Sequence, residues 1–572
     1  MPAEWVRATM LIRCNTIARG HSAVRIELVD AILQLLRKGL TPVIPLRGSV
    51  SASGDIMPLS YIAGTLEGSP DVFVRQGGGA GCKVVPAPEA LHMAGLNPIV
   101  LGPKEGLGMI NGNAASAAVG ALSIHDASQL AIFSQILTAM SCEALFGNIE
   151  AFHPFIAQVR PHPGQIEASR NIAHFLKGSR LVKGIASPKD PSRMGLFQDR
   201  YSLRSSAQWI GPQLEDLQLA TSQLVTELNS TSDNPIVDVA GGDIYSGANF
   251  QAASMTSATE KTRSAMQMLG KMLFSLCSEL INPDLNNGLP SNLAADNPSL
   301  SFTMKGVDVN MAAYMSELAY IAGPISTHVQ SAEMHNQAIN SLALISARYT
   351  MQAVELVSMM CATHLYVTCQ ALDLRAMHLN FLQELHPVLI SVGEDVFGNL
   401  LSVRDLNKLH KELLELTPGT WAQSTRLDPH ERCQHLVDAA LSTLMTSLTS
   451  SWTLSSTSGN SVPISEIGNW KTRILRAVTE TFSSNQGRYF AQPQAPKYLG
   501  QASRRMYSFV RDELGVPFHR GLIEHPSPYG EQGIEGRPKK TIGSWIGLIY
   551  KAVRDGRVYK HIMQCLEDAP DE

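Results

Sequence analysis

The sequence predicts a mainly α-helical protein built around a bundle of long helices, and three observations predict it. No Gly or Pro interrupts residues 325–386, and these are the two strongest local breakers of regular structure. Other long runs repeat apolar residues at three-, four- and seven-residue intervals, the period of one helix face. Strand signals are confined to two short hairpins. Composition bears on how such a bundle is covered. Hydrophobic residues make up 44% of the 572 and charged residues only 17%, against roughly 25% in an average soluble domain. Membrane residence and burial between subunits both explain so little charge. No stretch of 18 consecutive apolar residues occurs, and the opening MPAEWVRATMLIR lacks the order of a secretory signal. The reading is a soluble, cytoplasmic protein that hides its surface against other copies of itself.

The elements follow in order. Asp71-Val-Phe-Val, a glycine turn and Lys83-Val-Val read as a hairpin. The run Gly77–Lys83 is not a phosphate loop, because Cys82 stands where the second motif glycine belongs and Val84 where Ser or Thr should bind magnesium. No nucleotide is therefore expected. Residues 121–146 carry no breaker and are rich in Ala, Ser and Leu, which suits close helix contact. Residues 213–228 are amphipathic. Pro235-Ile-Val-Asp-Val, Gly241-Gly242 and Asp243-Ile-Tyr form the second hairpin. Residues 256–281 align Ala258, Ala265, Leu269, Met272, Leu276 and Leu280 on one stripe. Ser341 to Ala376 reads as one helix about 54 Å long, apolar nearly all round and hence buried on most sides. After Pro387 the composition shifts toward Ser, Thr and Leu, with helical pieces to about Gln494. An amphipathic helix over 504–514, a Pro/Gly loop over 526–538 and a last helix from Thr541 complete the chain.

Charge and ligand chemistry exclude other classes. Lys and Arg number 46 against 50 Asp and Glu, a net charge of −4, so no cationic surplus is available for a nucleic-acid partner. Eight cysteines contain no C-x-x-C pair and read as reduced thiols. Seventeen histidines form no H-E-x-x-H set, and the nearest approach, Cys433 and His435 beside His430, lacks metal-ligand spacing. No metal is expected.

The most specific segment is Leu46-Arg-Gly-Ser-Val-Ser-Ala52-Ser53-Gly54-Asp55-Ile-Met-Pro58. As plain structure it is a turn feeding a helix, with Ser53 or Asp55 as N-cap and Pro58 in the first turn. As chemistry it offers more. Gly54 has no side chain, so its amide nitrogen can approach the Ala52 carbonyl carbon closely. Ring closure with loss of two waters, one from the Ser53 side chain, leaves an exocyclic methylidene, a strong electrophile made from the chain itself.

On these residues the sequence resembles the aromatic amino acid ammonia-lyases, whose prosthetic group is 4-methylidene-imidazole-5-one made from this tripeptide. Further matching blocks are Gly102-Pro-Lys-Glu-Gly-Leu-Gly, Asn111-Gly, Gln198-Asp-Arg-Tyr201-x-x-Arg204, Thr231-x-Asp233-Asn-Pro235, Gly247-x-Asn249-Phe-Gln and Thr327-His-Val-Gln-Ser-Ala-Glu333-Met-x-Asn336-Gln337. The resemblance runs from Pro2 to the C-terminus and is nearer to the fungal phenylalanine ammonia-lyases than to the histidine ammonia-lyases. Glycyl-Ser-Ser-x-Met-Pro-x-Lys, the mark of fumarase-type lyases, is not found. The resemblance implies domains at 1–118 (prosthetic group), 119–376 (helical core), 377–494 (inserted helical shielding domain) and 495–572 (return to the core), assembled as a homotetramer.

It also implies roles. Ala52, Ser53 and Gly54 supply the electrophile and Tyr201 sits near it. Arg204 pairs with the substrate carboxylate, for which its planar fork is suited. Asn111 and Asn249 hydrogen-bond the prosthetic group or that carboxylate. Gln198 and Lys305 line the pocket, and Glu333 faces the substrate amine with Asn336 and Gln337 beside it. The spacing of Gln198, Tyr201 and Arg204 puts them on one face of a helix, and the i, i+3, i+4 spacing of Glu333, Asn336 and Gln337 does the same at the start of the long helix. The activity implied is elimination of ammonia from L-phenylalanine to give trans-cinnamate for phenylpropanoid or secondary metabolism. A tyrosine ammonia-lyase, an aminomutase or a catalytically impaired subunit are the alternatives. The family's loop tyrosine, in a Tyr-Gly-x-x-Thr-Gly-type motif, and its His/Gln selectivity pair have no match in this chain, which reads as starting after them.

Overall fold

The structure is a computed structural model that describes residues 1–77, 81–184, 198–454, 462–528, 530 and 533–567. It is mainly helical. The chain runs through α1 (Ala3–Ile17), α2 (Ile26–Arg37), β1 (Leu40–Pro42), α3 (Ile56–Glu67), β2 (Phe73–Gln76), β3 (Lys83–Pro86), α4 (Ala87–Met93), α5 (Glu105–Ile110) and α6 (Ala114–Ala144). Then come α7 (Pro154–Gln158), α8 (Pro163–Phe175), α9 (Tyr201–Arg204), α10 (Ser206–Leu228), β4 (Ile236–Asp238), β5 (Asp243–Tyr245), α11 (Ala253–Ile281), α12 (Lys305–Ile321) and α13 (Ala343–Phe397). The chain ends with α14 (Val403–Gln423), α15 (Pro429–Leu454), α16 (Ile464–Ala491), α17 (Gln501–Ser508), β6 (Gly533–Ile534), β7 (Arg537–Pro538), α18 (Ile542–Arg554) and α19 (Arg557–Glu567). No helix among the described residues is long and apolar enough to cross a membrane.

The chain forms two compact units, Met1–Ala131 with Pro212–Gly270 and Met315–Val357, and Ile132–Gly211 with Lys271–Tyr314 and Ser358–Glu572. In the first, α1 to α5 close over an antiparallel sheet of order β1-β2-β3. The outer hairpin is the one expected, with Phe73 opposite Pro86 and Gln76 opposite Lys83. Residues 78–80 of its glycine run lie outside the described residues. The strand β1, three buried residues ending in a proline, has no alternation and gives no sequence signal. Val6, Met10, Leu28, Ile32, Leu35, Leu59, Ile62 and Val74 make the core of this unit. The second expected hairpin is also present, Ile236 pairing with Tyr245.

In the second unit, Phe381, Trp421, Trp470 and Phe482 centre an aromatic core shared by α13 to α16. The helix expected to end at Ala376 instead continues to Phe397, through Pro387. A proline removes one backbone hydrogen bond and strains the preceding turn, but Phe381, Leu385, Leu389, Val392 and Val396 are buried along that same stretch and hold it. The expected boundaries at 118/119 and 376/377 fall inside α6 and α13. The helix expected over 504–514 is α17 followed by a π-helical turn, Phe509–Glu513. That turn carries Arg511, whose guanidinium donates to buried Asp373 at 2.8 Å while Tyr489 and Tyr507 donate to the same carboxylate.

His364 pins three helices of this unit together. Its Nδ1 lies 3.1 Å from the Leu273 carbonyl and its Nε2 2.7 Å from Ser141 Oγ. Complete burial pushes the imidazole down to about 4. A proton that the unfolded chain takes up near 6.5 is thus refused by the fold, so stability falls as pH drops from about 6.5 toward 4. Replacing His364 with Gln should flatten this dependence. Thermal melts across that window should show the native protein losing about 3 kcal/mol more than the variant.

Candidate active site

Ala52-Ser53-Gly54 is a short bend fixed at both ends. Ahead of it, the Leu342 amide donates to the Val50 carbonyl at 3.0 Å and Ser341 Oγ to the Ser51 carbonyl at 2.7 Å. The Leu344 amide, in the first turn of α13, donates to Ser51 Oγ at 3.0 Å. A free amide at a helix start needs such an acceptor, so the start of the long helix and the loop before the tripeptide satisfy each other. Behind the bend, Asp55 is fully buried. Its carboxylate accepts from the Ser116 amide at 2.6 Å and Ser116 Oγ at 2.8 Å, in the first turn of α6, and from Ser51 Oγ at 2.9 Å. Burial pushes this carboxyl above its ordinary range, and the Ser116 and Ser51 hydrogen bonds pull it back. Asp55 precedes α3 as expected of a cap, but its side chain makes no capping bond to that helix, because Ser116 and Ser51 occupy it.

Gly54 has φ +65°, and its backbone lies against that of Gly112 in a parallel bridge. The Asp55 amide donates to the Gly112 carbonyl at 2.5 Å. A Cβ on Gly54 would land within that carbonyl group, and a Cβ on Gly112 would strike Arg13 Nη1 and come within 2.6 Å of the Ser232 carbonyl. Only glycine fits at either position. Ala52 is buried and Ser53 half-buried, with Gln337 Nε2 donating to Ser53 Oγ at 3.2 Å. The tripeptide therefore suits a ring closed between Gly54 nitrogen and the Ala52 carbonyl carbon. Gly112 packs against it, and Gln337 meets its serine hydroxyl.

A buried polar cluster lies behind Gly112. Asn111 donates to Asp233 Oδ1 at 3.1 Å and to the Asn234 carbonyl at 2.9 Å, while its own Oδ1 has no partner. Lys104 Nζ reaches Asp233 Oδ2 at 2.8 Å and the Ser22 carbonyl at 3.2 Å. Asn234, before a cis peptide bond to Pro235, accepts the Gly247 amide at 2.7 Å. Asn249 is exposed beyond that turn.

Two expectations about spacing are corrected. Glu333, Asn336 and Gln337 are not on a helix. Glu333, Met334 and His335 have φ of 49°, 50° and 69°, Ala332 bridges back to Gln337, and α13 begins only at Ala343. The left-handed turn overrides a spacing that fits a helix. It leaves Glu333 exposed rather than buried, accepting from Asn336 Nδ2 at 3.2 Å. In the second unit, Gln198 precedes the one-turn helix α9 instead of sharing its face. The three residues still meet, as Arg204 donates to Gln198 Oε1 at 2.5 Å and its guanidinium stands 5.0 Å from the Tyr201 ring centre. Tyr201 is 73% exposed. Lys305, at the start of α12, is exposed with Nζ 5.2 Å from the Phe302 ring. No group of three or more His, Cys, Asp or Glu among the described residues is placed to hold a metal ion.

Arg13, Lys104, Asp233 and Ser116 were missed as site-building residues. Lys104 and Asp233 fall in matching blocks but carry no local signal of their contact, and Arg13 is a lone cation in the apolar run Met10–Ile17.

A mainly helical chain carrying this anchored tripeptide fits an aromatic amino acid lyase, and the chain belongs to that family, whose family model matches residues 1–389. It is a lyase. The chain is 50% identical over 570 residues to a phenylalanine ammonia-lyase of Aspergillus hancockii, covering 99% of this chain and 81% of that protein. It is also 50% identical over 566 residues to a phenylalanine aminomutase of Talaromyces islandicus that forms L-β-phenylalanine, covering 99% and 78%. The crystal structure of phenylalanine ammonia-lyase from Rhodosporidium toruloides superposes with a TM-score of 0.91 at 38% identity, covering 99% of this chain and 84% of that one.

Lys104 is one-fifth exposed and Asp233 not at all, so removing the lysine strands a buried carboxylate. Lys104→Met should lower stability by about 3 kcal/mol. Adding Asp233→Asn should restore part of it, and melts of the two single variants and the double variant measure the coupling.

Proposed function

We propose that this chain is a phenylalanine ammonia-lyase, converting L-phenylalanine to trans-cinnamate and ammonia with a 4-methylidene-imidazole-5-one formed from Ala52, Ser53 and Gly54. The observation that carries the reading is the tripeptide itself, anchored on both sides and packed at Gly54 against the Gly112 backbone so that no side chain fits. The two ammonia-lyase relatives support the substrate.

The reaction is hard for a simple physical reason: the β-hydrogen is hardly acidic and ammonium leaves poorly. The prosthetic group supplies an electrophile that makes the amine a better leaving group. The chain's own residues bind and orient the substrate. Arg204, with Gln198 bonded to it, takes the carboxylate as a charge-assisted pair. Glu333 takes the amine, with Asn336 holding its carboxylate. Gln337, which donates to the Ser53 hydroxyl before that hydroxyl is lost, lies beside the carbon that becomes the methylidene and orients the reacting end. The family resemblance assigns Tyr201 to the methylidene and Asn111, Asn249 and Lys305 to the polar lining. Exposure of Tyr201, Asn249, Lys305 and Glu333 in the single chain supports a site finished by other copies, and we assign a homotetramer. Location in the cytoplasm and supply of cinnamate to phenylpropanoid or secondary metabolism belong to the same reading.

The Talaromyces relative favours one second reading, an aminomutase that returns the amine to the β-carbon. Incubation of the purified protein with L-phenylalanine distinguishes them. Cinnamate absorbance should rise with matching free ammonia and no β-phenylalanine, and Ser53→Ala should abolish it. β-Phenylalanine as the main product supports the mutase, and an unimpaired Ser53→Ala variant contradicts both.

A further inference from the structure

Arg13 is a buried cation with no carboxylate of its own. It sits on α1 among Val6, Met10, Cys14 and Ile17 and is completely shielded from solvent. Its Nε donates to the Met109 carbonyl at 3.1 Å, and its Nη2 to the carbonyls of Gly108 and of Asn111, the latter at 3.1 Å. These are carbonyls at the C-terminal end of α5 and just beyond it, where no helical amide is available to satisfy them. Burial pulls the guanidinium down to about 10, opposed by the field of Asp233. A charge placed among neutral carbonyls at such cost is an expensive way merely to end a six-residue helix.

The placement has a geometric consequence. Arg13 grips the chain on the residues immediately before Gly112, and its unpartnered Nη1 fills the space where a Gly112 side chain would be, as Ser232 does from the other side. Gly112 cannot retreat, and it is the residue against which Gly54 is packed. We propose that Arg13 is a positioning residue for formation of the prosthetic group, holding Gly112 against Gly54 so that the Gly54 nitrogen is driven toward the Ala52 carbonyl carbon. The inference rests on the reading of Ala52-Ser53-Gly54 as the precursor. The step it serves is redox-neutral. A bond forms from Gly54 nitrogen to the Ala52 carbonyl carbon, whose oxygen leaves as water with the Gly54 and Ser53 amide hydrogens. The Ser53 α-hydrogen and hydroxyl leave as the second water.

The test is the mass of the tryptic peptide 48–75 from soluble full-length protein, sampled through the hours after synthesis, in the native chain, Arg13→Lys and Arg13→Gln. Lysine lacks the fork; glutamine is neutral, cheaper to bury, and keeps the second variant informative where the first does not fold. In variants with native melting behaviour, the peptide should lose its two waters roughly a hundredfold more slowly than in the native chain, the cost of an ångström-scale misplacement. Full dehydration at the native rate in a folded Arg13 variant overturns the proposal. So does loss of the native fold in both variants, because Arg13 is then a folding residue only. A native chain that keeps both waters instead refutes the precursor reading itself.

Discussion

The site depends on one close approach of backbone to backbone, Gly54 against Gly112. Neither position tolerates a Cβ, and the Asp55 amide to Gly112 carbonyl bond holds the two segments together. Everything around it serves to keep that contact. The start of α13 holds the chain before the bend through Ser51, the start of α6 holds the chain after it through Asp55, and the Arg13, Lys104 and Asp233 cluster closes it from behind. A loop without these anchors would relax, because close contact between backbone dipoles is weak and the entropy of a free bend is large.

The anchors are mostly hydrogen bonds between buried polar groups, which contribute modestly when made and cost heavily when broken. Such a network makes a bend rigid rather than very stable. Ser51 illustrates this: one hydroxyl donates to Asp55 and accepts from the Leu344 amide, so the starts of α13 and α6 are coupled through Ser51 and Asp55. The polar residues proposed to meet substrate contrast with this. Glu333 and Asn336 are exposed on a left-handed turn, and Tyr201 and Lys305 are exposed in the other unit. The buried anchors of the tripeptide and these exposed polar residues are thus carried by different segments of the chain.

The sequence made local features legible and distant ones not. Ala52-Ser53-Gly54 could be read as an electrophile precursor because its chemistry needs only three adjacent residues. The long helices followed from missing breakers and apolar periodicity, and the two hairpins from their turn glycines. The long helix runs on to Phe397, past the expected end at Ala376, and is held through Pro387 by buried contacts that a single sequence does not display. The Glu333 to Gln337 spacing fitted a helix, and only tertiary structure shows the left-handed turn. Gly112 as the partner of Gly54, and Arg13 behind it, depend on contacts between segments far apart in sequence, for which a single sequence offers no signal.

On the proposed reading, the Gly54–Gly112 contact is what makes the tripeptide reactive. It is tested most directly by Gly112→Ala, with the tryptic peptide 48–75 weighed from soluble protein. The native peptide should have lost two waters and the variant should retain both, because the added methyl must displace Arg13 or Ser232 and lets Gly54 move away. A variant that folds and is dehydrated as fully as the native chain would contradict it.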